Sequence, residues 1–501
     1  MSVQRAQEIL AHLVDKGVTP AGISADSRSL RPGEIFAAWP GEQDDARRFV
    51  ADAIARGASA VLWECSDGFE PPALTVPAMG VDGLRALSGY LAHEVYGRPS
   101  SGLWVVGVTG TNGKTTVTQW LVQALNTLET RAAVIGTLGY GFGGRLSELD
   151  NTTPDAIALH RLLAGFRDEG AAAVAMEVSS IGLDQGRVNG VDFDVAVLTN
   201  LSRDHIDYHG SMQAYGQAKQ QLFEQMQPEV VVLNLDDAFG LALARRLAGG
   251  KRVIGYTRFS ENAHAVEGID ILLAEHVRMS PAGLRFRLVW QGESHDVELH
   301  AVAAFNVANA LAVVGALLGK KVPFDEIVQV IPLLVPPEGR MQLVGGVGEP
   351  LVVIDYAHSP DALSQALESV AETARARQGA LVCVFGCGGD RDAGKRPLMG
   401  EAACRLADWV VVTNDNPRGE EPAAIASEIL AGTSVPARCI LDRAEAIRIA
   451  IAEAADDDVI VIAGKGHEHY QEVKGERLPF SDAAQAQKSL RERSRANRGD
   501  G

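Results

Sequence analysis

The feature that most constrains this chain is a repeated unit: a short run of Val, Ile and Leu, then a loop, then an amphipathic helix-forming stretch. Runs that are apolar at every position read as strands buried on both faces. Their alternation with helices predicts mostly parallel sheets of the α/β class. Within the first hundred residues the unit shows as GEIFAAW, ARRFVADAIARG and ASAVLWE, followed by a helix from about Val81 to Tyr96. It returns as LWVVGVT, AAAVAMEV, DVAVLTNL and EVVVLNL, and again as LVVIDYA, ALVCVFG, DWVVVTN, ARCILD and DVIVIAG. RFRLVW and DVELH alternate instead, which predicts antiparallel strands within residues 257–300. In the last third, helices are expected to begin near Pro360, Pro397, Pro422 and Ala444.

A chain of 501 residues exceeds one ordinary domain. Pro99-Ser100-Ser101-Gly102 and the stretch PLLVPPEG punctuate it twice. Three domains are therefore expected, at 1–100, 101–335 and 336–490, with 491–501 a tail whose RANRGDG end frays. With 46% hydrophobic and 22% charged residues, each domain can bury a core. The net charge of −18 argues against a nucleic-acid binder or an anionic-membrane binder, so a phosphate pocket would have to be built locally. The opening MSVQRAQEILAHLVDKG lacks the apolar core of a signal peptide, and no run of about 18 apolar residues predicts a membrane span. Five sparse cysteines suit a reduced, cytoplasmic protein. Cys383 and Cys387 read either as a reactive pair or as a strand followed by a Gly loop.

The sharpest local signal is Gly107-Val-Thr-Gly110-Thr111-Asn112-Gly113-Lys114-Thr115-Thr116, between a buried strand and a helix. Backbone N–H groups and the helix N-terminus at such a junction point at an anion. Lys114 would neutralise β/γ-phosphates and the Thr115 hydroxyl would meet Mg²⁺. The glycine spacing departs from GxxxxGK[ST], and a Gly-rich turn with a solvated lysine is the plainer alternative. Glu177 in MEVSS and His205 in TNLSRDHIDYHG end the next two strands, where doubly wound sheets bind ligands. A strand-end ion pair and a turn histidine would explain them separately; together, beside the loop, they suit a cation site. Lys219 shares an apolar helical stripe with Tyr215 and Phe223. It is either a snorkelling lysine or a sheltered amine with a lowered pKa, nucleophilic toward CO₂.

TGTNGKTT resembles the loop of the Mur ligase superfamily, ATP-dependent ligases of peptidoglycan precursor synthesis that also include folylpolyglutamate synthetase. The resemblance runs from about Asp26 to about Asp482. It implies a central P-loop-type, mostly parallel sheet with helices, a C-terminal Rossmann-like α/β domain and a smaller N-terminal α/β domain. It further implies that Gly110, Thr111, Asn112, Gly113, Lys114, Thr115 and Thr116 bind ATP with Asn306, Asn309, Arg340 and Asp355. Lys114, Glu177, His205 and Lys219 would be catalytic. Thr115, Glu177, His205 and Lys219 would hold Mg²⁺, with Lys219, in Tyr215-Gly-Gln-Ala-Lys219-Gln-Gln-Leu-Phe223, as an N6-carboxylysine carbamate.

DNPR (Asp415, Asn416, Pro417, Arg418), FGCGGDRDAGKRP and AGKGHEHYQ resemble the diaminopimelate-adding branch of the family. The resemblance assigns Arg391, Asp415, Asn416, Pro417, Arg418, Gly464 and Glu468 to the incoming amino acid. Arg391 and Arg418 suit carboxylates, Asp415 and Glu468 ammonium groups. Ser27, Glu42, Gln43 and Asp44 match loops for UDP; Asn151, Thr152, Thr153, Ser179, Gln185 and Arg187 match muramoyl-dipeptide contacts. The implied activity joins meso-diaminopimelate to the D-Glu γ-carboxylate of UDP-MurNAc-L-Ala-D-Glu through an acyl phosphate, by a cytoplasmic monomer serving cell-wall synthesis, shape and division. Lysine-adding or folate-extending ligases, a non-catalytic nucleotide-binding regulator and a nucleic-acid motor are the competitors. Departures from the family pattern are Ile181 in place of a common His, Ala303 in place of Gly before Phe305-Asn306, and Asp45-Ala46-Arg47 in place of DGH.

Overall fold

The computed structural model describes residues 2–41, 44–69, 71, 74–144, 146–280 and 283–498. Residues 1–257, 261–271 and 312–323 form one compact unit; 258–260, 272–311 and 324–501 form a second.

The first unit opens with α1 (Ser2–Asp15), then a parallel sheet of β1 (Gly22–Ser24), β2 (Glu34–Ala38), β3 (Ala60–Glu64) and β4 (Ala78–Val81), with α2 (Val50–Ala55) and α3 (Leu84–Val95). It continues through β5 (Trp104–Thr109), α4 (Lys114–Thr127), β6 (Ala132–Gly136), β7 (Gly139–Phe142), α5 (Ala156–Asp168), β8 (Ala173–Glu177), α6 (Ser180–Asp184) and β9 (Val195–Leu198). Next come α7 (Ile206–His209), α8 (Met212–Glu224), β10 (Val230–Asn234), α9 (Ala238–Leu247) and β11 (Arg252–Thr257). The order β11-β10-β9-β5-β8-β6-β7 is parallel except at the β7 edge. Every residue of β6, β8, β9 and β10 is buried, which is why these strands read as continuous apolar runs. β5 lies between β8 and β9, so the chain crosses from one side of β5 to the other between them. That is the topological switch point, and its carboxyl edge is where a ligand belongs.

The second unit contains the antiparallel pairs of β12 (Asp270–Ser280), β13 (Gly283–Trp290) and β14 (Glu293–Leu299). α10 (Phe305–Gly319), whose residues from 312 onward belong to the first unit, and α11 (Phe324–Val330) follow. A six-stranded sheet is then built from β15 (Gln342–Gly345), β16 (Leu351–Asp355), α12 (Pro360–Arg377), β17 (Leu381–Phe385), α13 (Lys395–Leu406), β18 (Trp409–Val412), α14 (Pro422–Leu430), β19 (Arg438–Cys439), α15 (Arg443–Glu453) and β20 (Val459–Ala463). Its order is β15-β16-β20-β17-β18-β19, so the last long strand sits in the middle. A hairpin of β21 (Tyr470–Val473) and β22 (Glu476–Pro479) and helix α16 (Asp482–Arg498) complete the unit.

Ser359 and Asp442 cap α12 and α15, with Pro360 opening α12 as expected. α13 instead starts at Lys395, so Pro397 lies inside its first turn, where its missing N–H costs no hydrogen bond. α16 runs to Arg498, so the RANR stretch read as frayed is helical. Arg443 and Asp482 form an ion pair at 2.7 Å with both side chains fully buried, fixing α15 to α16. Cys383 and Cys387 are buried and free. Burial pushes the Cys387 thiol up to about 12 and raises Cys383 further, so the pair is inert and the strand explanation holds.

Candidate active site

Gly110 (φ +146°) and Gly113 (φ +87°) turn the chain from β5 into α4. A Cβ on Gly110 would lie 1.9 Å from Thr199 Oγ1, so no other residue fits. The loop is sewn to the end of β9. Thr111 N donates to Asn200 O (2.9 Å), Asn112 N to Asn200 Oδ1 (3.0 Å), and Thr199 Oγ1 to Asn112 O (2.6 Å). Lys114 Nζ folds back onto Gly110 O and Thr111 O, each at 2.9 Å. Thr115 and Thr116 are buried in the first turn of α4, a 14-residue helix whose N-terminal amides and dipole favour an anion.

Glu177 closes β8 one strand away, in register with Val108, and is 1% exposed. Its Oε1 accepts from Thr137 N (2.9 Å) and its Oε2 from Thr137 Oγ1 (3.1 Å). One hydrogen bond per oxygen leaves lone pairs for a cation. Thr137 carries no motif of its own in the sequence, although it follows strand β6 at the same edge. Lys219 on α8 is 1% exposed. Its Nζ donates to Gly110 O (2.9 Å), the carbonyl that Lys114 also uses, and lies 4.5 Å from the centre of the Tyr215 ring. Burial, with the Lys114 charge next, pushes this amine down to about 6, so at neutral pH it carries a free electron pair. This removes the snorkelling alternative, because the nitrogen is inside. His205 is exposed, in a left-handed conformation (φ +50°), 3.5 Å from Asp204.

Among the described residues, the group of three His, Cys, Asp or Glu side chains with ligand atoms within 4.8 Å of one another is Glu293, His295 and Asp325. Glu177 and His205 are not preassembled in that way. A Mg²⁺ shared with phosphates and keeping its waters needs no protein cage, and the Thr115 hydroxyl and Glu177 carboxylate are the hard oxygen donors it prefers.

Thr153, Ser179, Gln185 and Arg187 form one network behind Glu177. Thr153 Oγ1 donates to Glu177 O (2.9 Å), Ser179 N to Thr153 Oγ1 (3.0 Å), and Arg187 to Thr153 O (2.8 Å) and Gln185 Oε1 (2.8 Å). Thr152 reaches Thr137 at 3.1 Å, and Asn151 is exposed. Ser27 and Asp44 lie on the loops after β1 and β2; Glu42 and Gln43 lie outside the described residues. Asp45-Ala46-Arg47 braces its own loop. Arg47 is buried, pairs with Asp45 at 2.8 Å and lies over the Phe69 ring.

In the second unit, Asn306 Nδ2 donates to Val302 O (2.7 Å) and Asn309 Nδ2 to Asn306 Oδ1 (2.9 Å), both buried. Ala303, just before them, is buried at φ +71°, a conformation that costs an alanine roughly 1–2 kcal/mol and that a glycine would adopt without strain. Asp355 at the end of β16 accepts from Met341 N (3.0 Å) and Ala357 N (2.9 Å). Burial raises its pKa, and the neighbouring Arg340 charge opposes that. Arg340 lies over the Tyr356 ring, and its Nε is buried without a hydrogen-bond partner.

Strand register aligns Asp355, Phe385 and Val412 with Ala463, directly or through Phe385, so the loops after β16, β17, β18 and β20 leave one edge together. Gly389 N donates to Asn416 O (2.9 Å), Arg418 Nη1 to Gly389 O (2.8 Å) and Gly419 N to Asp390 Oδ2 (2.9 Å). Beneath them the buried Arg396 holds Glu420 and Glu428 at 2.8 Å each. Arg391 is exposed on the loop after β17. Asn416 Nδ2 donates to Glu468 Oε2 (2.8 Å), and Asp415 beside Gly464 has its pKa raised by burial, opposed by Arg443 and Lys465. Lys465, absent from the expected set, is at the centre of this array. Its signal was its position between two expected site residues, Gly464 and Glu468.

A glycine loop feeding a helix at the switch point of a parallel sheet defines a nucleotide-binding type of α/β protein, and the loops of the second sheet add a cluster of charged side chains. The chain belongs to the Mur ligase family. Residues 108–317 match the Mur ligase middle domain and 339–466 the Mur ligase glutamate ligase domain. A protein of Ectopseudomonas mendocina (strain ymp) named UDP-N-acetylmuramoyl-L-alanyl-D-glutamate–2,6-diaminopimelate ligase is 49% identical over 478 residues, covering 95% of this chain and 96% of its own. One of that name from Pseudomonas aeruginosa PAO1 is also 49% identical, over 93% of this chain and 94% of its own. A solved structure titled with the same ligase is 36% identical, with a TM-score of 0.73 and 95% of each chain covered. No helix of the described residues is long and apolar enough to cross a membrane.

Proposed function

We propose that the protein ligates meso-diaminopimelate to UDP-MurNAc-L-Ala-D-Glu. ATP phosphorylates the D-Glu γ-carboxylate, giving ADP and an acyl phosphate. The amine of diaminopimelate then attacks the carbonyl carbon, and phosphate leaves from the tetrahedral intermediate. The Gly110–Thr116 loop grips the ATP phosphates, and Lys114 exchanges its backbone carbonyls for phosphate oxygens. Thr115, Glu177, His205 and Lys219 as its carbamate would hold magnesium, which supplies charge neutralisation when bound. Thr153, Ser179, Gln185 and Arg187 orient the dipeptide; Ser27, Glu42, Gln43 and Asp44 hold the uridine diphosphate. Asn306, Asn309, Arg340 and Asp355 take the remainder of the nucleotide, and Arg391, Asp415, Asn416, Pro417, Arg418, Gly464 and Glu468 the incoming amino acid. Residues 1–100, 101–335 and 336–490 divide these roles, and the protein acts in the cytoplasm as a monomer.

The observation that most supports the amino-acid assignment is the joining of the loops after β17, β18 and β20 in one hydrogen-bonded array carrying both carboxylates and guanidinium groups. The experiment is phosphate release from Mg-ATP with UDP-MurNAc-L-Ala-D-Glu and either meso-diaminopimelate or L-lysine. Release with diaminopimelate alone is expected. Release with lysine would overturn the specificity, and release with neither would overturn the ligase reading.

A further inference from the structure

Lys465 is fully buried, and its Nζ has three side-chain acceptors: Asn416 Oδ1 at 2.8 Å, Glu468 Oε2 at 3.2 Å and Asp415 Oδ1 at 3.4 Å. All three belong to the set proposed above for the incoming amino acid, while Lys465 does not. Asn416 is thereby fixed in one amide orientation: its Oδ1 accepts from Lys465 and from Glu472 N (3.0 Å), and its Nδ2 donates to Glu468. Two carboxylates on one ammonium leave a net negative charge, since the nearby Arg443 is matched by Asp482. Without Lys465, the buried Asp415 and the half-buried Glu468 would face each other as like charges with no cation between them. We propose that Lys465 is a positioning residue for the amino-acid substrate. It locks Asp415, Asn416 and Glu468 into one array, with the charge that complements a zwitterion's ammonium group. This rests on the amino-acid site assigned under the proposed function.

The test separates the two half-reactions. Hydroxylamine attacks the acyl phosphate carbonyl, forming a C–N bond as phosphate leaves, and so reports phosphorylation without the amino-acid site. Lys465→Met is expected to raise the KM for meso-diaminopimelate ~30-fold or more, the loss for a charged hydrogen-bond network of about 2 kcal/mol. KM for ATP, the rate of hydroxamate formation and the rise in melting temperature on adding Mg-ATP should stay at wild-type values. Lys465→Arg, which keeps the charge, should restore most of the KM. An unchanged diaminopimelate KM in Lys465→Met, or hydroxamate formation falling in parallel with ligation while ATP binding persists, overturns the proposal. If Lys465→Met does not fold, Lys465→Gln decides on the same readouts: a raised diaminopimelate KM with unchanged hydroxamate formation supports the proposal, and an unaltered KM overturns it. Failure of the underlying reading shows separately, as wild-type protein that releases no phosphate with diaminopimelate.

Discussion

Lys219 and Lys465 are both at most 1% exposed, and they are buried in opposite ways. Lys219 meets a carbonyl and an aromatic face and has a second ammonium, Lys114, on the same carbonyl. Lys465 meets two carboxylates and an amide oxygen. The first environment favours a neutral amine that can react; the second holds an ammonium as a structural centre. The same residue type at the same degree of burial thus meets two environments, and the difference lies in the groups around it: a carbonyl, an aromatic ring and a second ammonium for Lys219, two carboxylates and an amide oxygen for Lys465. The two sites differ likewise. The glycine loop is a contiguous segment backed by one neighbouring strand. The second-unit array is assembled from loops far apart in the chain and needs a rigid frame.

The largest expected effect bears on that frame. Arg443→Met strands Asp482 without a partner and should cost about 3–5 kcal/mol of stability, read from urea unfolding of the whole chain. A cost under about 1 kcal/mol would mean the pocket is not braced there. On the other side of the comparison, Lys219→Arg puts a guanidinium in place of the neutral amine and so removes the nucleophile. Ligation should fall on the order of 10³-fold in kcat, a loss of about 4 kcal/mol in the transition state, with Mg-ATP still bound. Wild-type protein in ¹³C-bicarbonate should show a carbamate carbon resonance that this variant lacks.

A third prediction concerns acid. His160 is fully buried, donates from Nε2 to Asn189 O (2.9 Å), and packs edge-on against His93, which lies 3.8 Å from Asp192. Burial pushes its pKa down to about 4, below its value in the unfolded chain near 6.5. The unfolded chain therefore takes up the proton first. Stability is full above about pH 6.5 and falls as pH drops toward about 4, by at most about 3 kcal/mol. His160→Gln should flatten that limb of the stability curve; an unchanged limb would assign the acid loss elsewhere.

Arg418→Lys loses the planar fork and should raise the diaminopimelate KM roughly tenfold, leaving the KM for ATP alone. A rise in both would erase the distinction between the two sites. The smallest effect is a gain: Ala303→Gly relieves a left-handed alanine and should stabilise the protein by up to about 1 kcal/mol.

Much of the molecule is legible in the sequence where chemistry is local. The glycine loop, the strand-end Glu177, the apolar stripe carrying Lys219 and the buried parallel strands all show as short-range patterns. What stays hidden has physical reasons. The β21–β22 hairpin has a half-exposed first strand and an exposed second one with no buried face, and turns at Lys474-Gly475, so neither hydrophobic period nor a familiar turn pair announces it. Yet it pairs with Arg418, whose N–H donates to Glu472 O and whose carbonyl accepts from Lys474 N (2.7 Å). The cost of Ala303 is equally invisible, because a backbone dihedral is not written in residue type.

The sequence by itself determined the class and the glycine loop between β5 and α4, because α/β units and glycine turns depend on neighbours within a few residues. Only the tertiary structure decided that β20, last of the parallel strands, enters the middle of its sheet and brings Gly464, Lys465 and Glu468 beside Asp415 and Asn416. Strand order is set by long-range packing of helices on both faces of the sheet, and local sequence carries no record of it.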